Sequence, residues 1–238
     1  MSKALVIVDC QKDFVEGGSL AVKGGKEVCA KIEKFIAAHK DYKIIRTYDT
    51  HNPDHPSFKE NGGIWPKHCV VGTKGYESAL SKDYAGLEIH KAIDKEEYGV
   101  NCSIDGLNID TYLSVGIAFD YCVQSCAIMT KKANPKAKVI VAEDLCAAVD
   151  PKNNMDIITE LLINGVKVFT VSEYEHPIFK PCPFCGGDVT GVILKDYRMI
   201  MCEKCRMKFV DSDPNMSNEE FVKMFNTRTK TDNTNSGK

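Results

Sequence analysis

The chain has 238 residues, 43% of them hydrophobic and 27% charged, an ordinary composition for a globular protein. A formal net charge of -2 excludes a global positive field that would draw it to nucleic acid or an anionic membrane, so any such contact has to come from a local patch. No stretch approaches the ~20 apolar residues of a membrane span, and the apolar run 4–8 ends at Asp9, too short for a secretory leader.

These features predict a cytoplasmic protein. In that reducing setting the 11 cysteines are expected to serve metal binding, catalysis or core packing rather than a disulfide framework. Four of them form two Cys-x-x-Cys pairs after residue 180, and the others are scattered singly before it.

Along the chain, residues 1–175 alternate short β-branched runs with amphipathic stretches, which predicts a doubly wound α/β domain on a mainly parallel, six-stranded sheet. Residues 4–8 read as a buried central strand. A helix is predicted over 26–39, where Val28, Ile32, Phe35 and Ile36 recur at helical spacing. Further strands are predicted at 43–47, 87–90, 111–117, 139–142 and 166–171. Helices are predicted at 122–132 and 153–163, the second entered through Asp150-Pro151 and closed by Asn164-Gly165. Between residues 49 and 80 runs a long Pro- and Gly-containing loop, and a loop of that length inside a compact domain is usually functional.

In open α/β sheets ligands bind beyond the carboxyl ends of the strands. Asp9 and Lys91 end predicted strands, and Cys122 sits where a strand turns into a helix. A thiol at a helix N-terminus is favoured as thiolate, and the N–H groups there can hold an oxyanion. A nearby carboxylate can take the thiol's proton, and an ammonium can stabilise the anion. Each residue alone reads more simply as a core cysteine, a turn carboxylate or a solvated lysine. Asp49 and His51, two apart, project to one side of an extended segment. With His68 they offer one carboxylate and two imidazoles, a set suited to Zn²⁺, Fe²⁺ or Mn²⁺ with open positions, or else an ordinary polar loop.

Five separated strings carry a resemblance. They are Val8-Asp9-Cys10-Gln11-Lys12-Asp13-Phe14; Asp49-Thr50-His51 through His55-Pro56-Ser57-Phe58; Trp65-Pro66-Lys67-His68-Cys69-Val70 with Gly72-Thr73; His90-Lys91; and Gly116-Ile117-Ala118-Phe119-Asp120-Tyr121-Cys122-Val123. In order and spacing, over residues 3–172, the chain resembles the nicotinamidase/pyrazinamidase branch of the isochorismatase-like hydrolases. The resemblance implies a three-layer fold and an amidohydrolase that converts nicotinamide to nicotinate and ammonia in NAD salvage, or else a related cysteine amidohydrolase acting on another small amide. It makes Asp9, Lys91 and Cys122 the catalytic triad and Asp49, His51 and His68 the ligands of a divalent metal that binds the pyridine nitrogen. Phe14 and Trp65 would wall the ring, Ile117–Ala118 would be a cis peptide, and the N–H groups of Ala118 and Cys122 would form the oxyanion hole. The chain departs from the family pattern at Phe119, where Thr is common, and at residues 98–101.

Cys182, Cys185, Cys202 and Cys205 have the spacing of a structural zinc site, with sixteen residues between the two pairs. The predicted ribbon spans 178–228 and includes a helix from Asn218 with Ser217 as N-cap and Glu220 three residues on. Residues 180–187, with Phe225-Asn226-Thr227-Arg228, resemble the restriction-alleviation ribbons of phages and prophages. Such a ribbon would act in homo-oligomerisation, or in docking to a protein or nucleic acid. Residues 229–238 are polar without periodicity and are expected to be disordered.

Overall fold

The computed structural model describes residues 2–92, 104, 106–171, 179–193, 198–211, 213 and 215–227. The altered segment 98–101, the composition change at Pro177 and the polar tail 229–238 lie outside them. The chain divides into two compact units, Met1–Val171 and Ser172–Lys238.

In the first unit six parallel strands form one sheet in the order β3-β2-β1-β4-β5-β6. They are β1 (Lys3–Val8), β2 (Tyr42–Thr50), β3 (Leu87–Ala92), β4 (Thr111–Ile117), β5 (Lys138–Ala147) and β6 (Lys167–Phe169). This is the α/β architecture expected from the alternating pattern. β1 and β4 are almost wholly buried, as their unbroken apolar runs require of strands covered on both faces. The chain builds outward from β1 in one direction and then, from β4, in the other. The strand order therefore reverses between β1 and β4, the place where such sheets open a crevice.

Among the described residues this unit has the helices α1 (Gly25–Ala38), α2 (Gln124–Ala133) and α3 (Asn154–Ile163). α1 buries Val28, Ile32, Phe35 and Ile36, and the Glu16 carboxylate accepts the N–H groups of Gly24 and Lys26 at its start, each at 2.8 Å. Gly165, at φ 77°, closes α3 and lets the Val166 N–H bond back to the Leu161 carbonyl at 2.9 Å. α2 begins later than the sequence suggests. Residues Phe119–Val123 form a π-helical turn before it, so Cys122 lies in that turn rather than at the first position of the helix.

Among the described residues the second unit has a three-stranded antiparallel sheet, β7 (Val189–Ile193), β8 (Arg198–Cys202) and β9 (Lys208–Asp211), and the helix α4 (Asn218–Asn226). Ile200, Phe221 and Phe225 make its small core, with Phe179 and Phe209 packed against them. Ser217 and Glu220 form a reciprocal capping box at the start of α4, as the spacing predicts. Among the described cysteines nine are free, but Cys126 is disulfide-bonded, contrary to the expectation that thiols here serve only metal, catalysis or packing.

Candidate metal and thiol site at the switch point

Asp9 follows the last residue of β1 and is fully buried. It turns the chain out of the sheet at φ 47°, a conformation that Asp tolerates better than most residues. Its Oδ1 accepts the Thr47 hydroxyl at 2.6 Å, and its own N–H donates to the Thr47 carbonyl at 3.2 Å. Thr47 on β2 thus holds the carboxylate in place.

The long loop folds back on itself through backbone pairing. The His51 N–H donates to the Cys69 carbonyl and the Val71 N–H to the His51 carbonyl, both at 3.0 Å, which brings His68 beside His51. A second pairing joins Phe58 to Trp65 around the turn at Gly62 and Gly63. A Cβ at position 63 would lie 2.1 Å from the Ser57 backbone, so that turn closes only with glycine. The fully buried Phe58 ring packs edge-on against both imidazoles, 5.2 Å from His51 and 5.4 Å from His68.

Asp49, His51 and His68 are all buried, and their ligand atoms lie within 4.8 Å of one another. Nε2 of His51 is 3.0 Å and Nε2 of His68 3.3 Å from the same Asp49 Oδ2. The donor chemistry fits a divalent cation. His68 Nδ1 lies 2.6 Å from the Pro66 carbonyl, which can only accept. That bond places the neutral ring's proton on Nδ1 and leaves the Nε2 lone pair directed at the cluster, the usual outer arrangement of a metal-binding histidine. Burial disfavours charge on His68, yet the Asp49 carboxylate and the Pro66 carbonyl outweigh it and raise its pKa, so the pocket attracts positive charge. His51 Nδ1 is buried with no hydrogen-bond partner. His55 lies outside the set, its ring 4.5 Å from that of His51 and its Nδ1 accepting the Ser57 N–H at 3.2 Å.

Across the switch point, Ile117–Ala118 is a cis peptide, and the π-helical turn that follows carries Cys122. The Cys122 side chain is half-buried. Both oxygens of Asp120 brace this turn, accepting the N–H groups of Val149 and Asp150 at 2.9 Å each. Gly116, at φ 123°, allows β4 to approach β1, since a Cβ there would lie 2.2 Å from the Val8 carbonyl. Cys69 is a different kind of thiol. It is fully enclosed, and burial together with the charges of Asp49, Asp9 and Asp13 pushes its pKa far up, which keeps it protonated.

Lys91 stands on β3 in register with Asp49; its side chain lies outside the described residues. Phe14 packs 5.6 Å from the His68 ring, and Trp65 meets Tyr121 edge-on at 5.9 Å, beside Cys122. Phe119 is almost fully buried. Gln11, Asp13, Thr47, Asp120 and Tyr121 also shape the site. Gln11, Asp13, Asp120 and Tyr121 stand inside the recognisable strings, but no chemistry of their own marks them as site residues.

Residues 3–173 match the isochorismatase domain. The chain belongs to the isochorismatase family. Within it, the chain is similar to the nicotinamidase/pyrazinamidase of Mycobacterium tuberculosis, 30% identical over 186 residues that span 70% of this chain and 97% of that one. Among solved structures, the isochorismatase domain resembles the zinc-complexed pyrazinamidase of Pyrococcus horikoshii, with a TM-score of 0.65 at 30% identity over 71% of this chain and 99% of that one. It also resembles PnC1 of L. infantum in complex with nicotinate, with a TM-score of 0.62 at 29% identity over 72% and 93%. The four-cysteine unit lies beyond the isochorismatase match.

Proposed function

We propose that this amidohydrolase is a nicotinamidase, releasing nicotinate and ammonia from nicotinamide in NAD salvage. The observation that carries the reading is the convergence, at one switch point, of a buried carboxylate–imidazole set and a half-buried cysteine beyond a cis peptide. The activities named for its relatives, and the nicotinate held by one of them, support the substrate.

The ring enters between Phe14 and Trp65, which wall it by stacking. Asp49, His51 and His68 would hold a divalent ion (zinc, iron or manganese), which would supply a Lewis-acid anchor for the pyridine nitrogen. Asp9 accepts the Cys122 proton, and the thiolate attacks the amide carbon. The Lys91 ammonium and the N–H groups of Ala118 and Cys122 stabilise the oxyanion. Protonated Asp9 then gives its proton to the amide nitrogen, which leaves as ammonia. The remaining thioester is hydrolysed by a water that Asp9 activates, and nicotinate departs with Cys122 restored.

For the second unit we propose a structural zinc ribbon that serves homo-oligomerisation, or docking to a protein or nucleic acid. Its four sulfurs cluster, with Cys182 and Cys205 at 3.7 Å and Cys185 and Cys202 at 3.4 Å. Tetrahedral Zn–S bonds of ~2.3 Å place ligand sulfurs about 3.8 Å apart, close to that spacing. The Cys205 N–H, directed at the Cys202 sulfur at 3.4 Å, lowers that thiol's pKa, while the Cys205 thiol, despite the Met207 N–H, is pushed up by its sulfur neighbour Cys202. Kinship with phage restriction-alleviation ribbons rests on the sequence motif alone.

Ammonia release from nicotinamide tests the activity, and a metal count on the purified chain tests both sites. Two metals are expected, one lost in His51→Ala and the other in Cys182→Ser. Full hydrolysis in His51→Ala would refute the anchored-ring reading.

A further inference from the structure

Two polar side chains in the segment after Asp9 take no part in that chemistry, yet Gln11 binds the backbone of Asp49 and Asp13 binds that of Cys69, the residue after His68. Gln11 is fully buried. Its Oε1 accepts the Asp49 N–H at 2.8 Å, and its Nε2 donates to the Asp49 carbonyl at 2.9 Å and to the Tyr76 carbonyl at 3.1 Å. The need for this clamp follows from the sheet. The β1–β2 ladder ends at Val8 opposite Thr47, because Asp9 turns away, while β2 runs on to Thr50. On the β1 side of the strand the Asp49 N–H and carbonyl would then be buried with no ladder partner, at a cost of roughly 1–3 kcal/mol for each unsatisfied group. A primary amide offers a donor and an acceptor side by side, as a peptide group does. Gln11 therefore extends the ladder by one side chain.

Asp13 does the corresponding work for the loop. Its Oδ2 accepts the Cys69 N–H at 2.8 Å, and its Oδ1 accepts the Ser19 N–H at 3.2 Å. Cys69 follows His68 and sits at φ 47°, so this bond stabilises a turn that the backbone does not favour. The carboxylate packs onto Gly75, where a Cβ would lie 2.0 Å from Oδ2.

We infer that Gln11 and Asp13 are positioning residues for the metal site, Gln11 orienting Asp49 and Asp13 orienting His68. The inference rests on the metal-site reading above. One five-residue segment then carries the base, Asp9, and aligns two of the three metal residues with it.

The test is Co²⁺ titration of the full chain, in which the nitrogen–oxygen class is separated from the four-thiolate class by its lack of thiolate charge-transfer absorption. Gln11→Glu keeps size but turns an acceptor toward two carbonyls, and Gln11→Met leaves both Asp49 groups unpaired without adding charge. Asp13→Asn keeps shape and can satisfy one N–H of the two. All three are expected to weaken the nitrogen–oxygen class by ~10–100-fold and to leave the thiolate class unchanged. Ile32→Val, a core truncation on α1, should lower the melting temperature without moving either class. Cobalt affinities within about threefold of wild type in the Gln11 and Asp13 variants would overturn the inference. A wild-type chain with no nitrogen–oxygen class would instead overturn the metal reading, and this inference with it.

Discussion

Asp9→Asn separates chemistry from structure at this site. The carboxylate is fully buried, and its Oδ1 accepts the Thr47 hydroxyl at 2.6 Å. Asparagine keeps a carbonyl oxygen for that donor, so what changes is the charge on the acceptor. Hydrogen bonds to charged groups contribute ~1.5–3 kcal/mol and neutral ones about half that, so folding should weaken by about 1 kcal/mol. Against a stability of ~5–15 kcal/mol, such a loss leaves essentially all molecules folded. Turnover should fall much further, because an amide side chain cannot carry a proton from Cys122 to the leaving nitrogen. General acid–base groups are typically worth ~10²–10⁴ in rate, or about 2.7–5.5 kcal/mol at 1.36 kcal/mol per decade. The assay is ammonia release at saturating nicotinamide, with a thermal melt and calorimetric substrate binding on the same preparation. A folded Asp9→Asn protein working within about fivefold of wild type would refute the proton-shuttle role and most of the proposed mechanism.

Other expected outcomes are briefer to state. Cys122→Ala should bind nicotinamide by calorimetry but release no ammonia; residual turnover near wild type would take the nucleophile's role from Cys122. Chelation should abolish hydrolysis in step with loss of the first metal, and divalent ion should restore it, while the metal proposed for the four cysteines should leave more slowly; activity that persists after the first metal has gone would count against a ring anchored at Asp49, His51 and His68. Gly116→Ala combines a Cβ 2.2 Å from the Val8 carbonyl with φ 123°. It should cost about 1–3 kcal/mol in a denaturant melt and lower kcat through the adjoining cis peptide and thiol turn. An unchanged melt would show that β4 and β1 can separate there at little cost.

Local patterns in the sequence carried much of the fold. Val28, Ile32, Phe35 and Ile36 repeat at helical spacing, Asn164-Gly165 stops α3, and Ser217 with Glu220 caps α4, because each of these signals acts between residues a few positions apart. The residue types suited to acid–base, thiol and metal chemistry were legible for a similar reason, since Asp9, Cys122 and the Asp49–His51 pair stand at strand ends or in the long loop. What the chain could not reveal by itself was the closure of that loop. His68 meets His51 only through backbone pairing of His51 with Cys69 and Val71. The start of α2 likewise moved past Cys122 because a π-helical turn, braced by Asp120 against Val149 and Asp150, takes up the preceding residues. Gln11 shows the limit most clearly. In sequence it is one polar residue after a strand, while in the fold its amide takes the place of the β1 backbone beside Asp49, 38 residues away. Propensity and periodicity report contacts along one element, whereas a buried donor or acceptor is satisfied by whatever the packed sheet brings next to it, and that neighbour exists only after the strands have assembled.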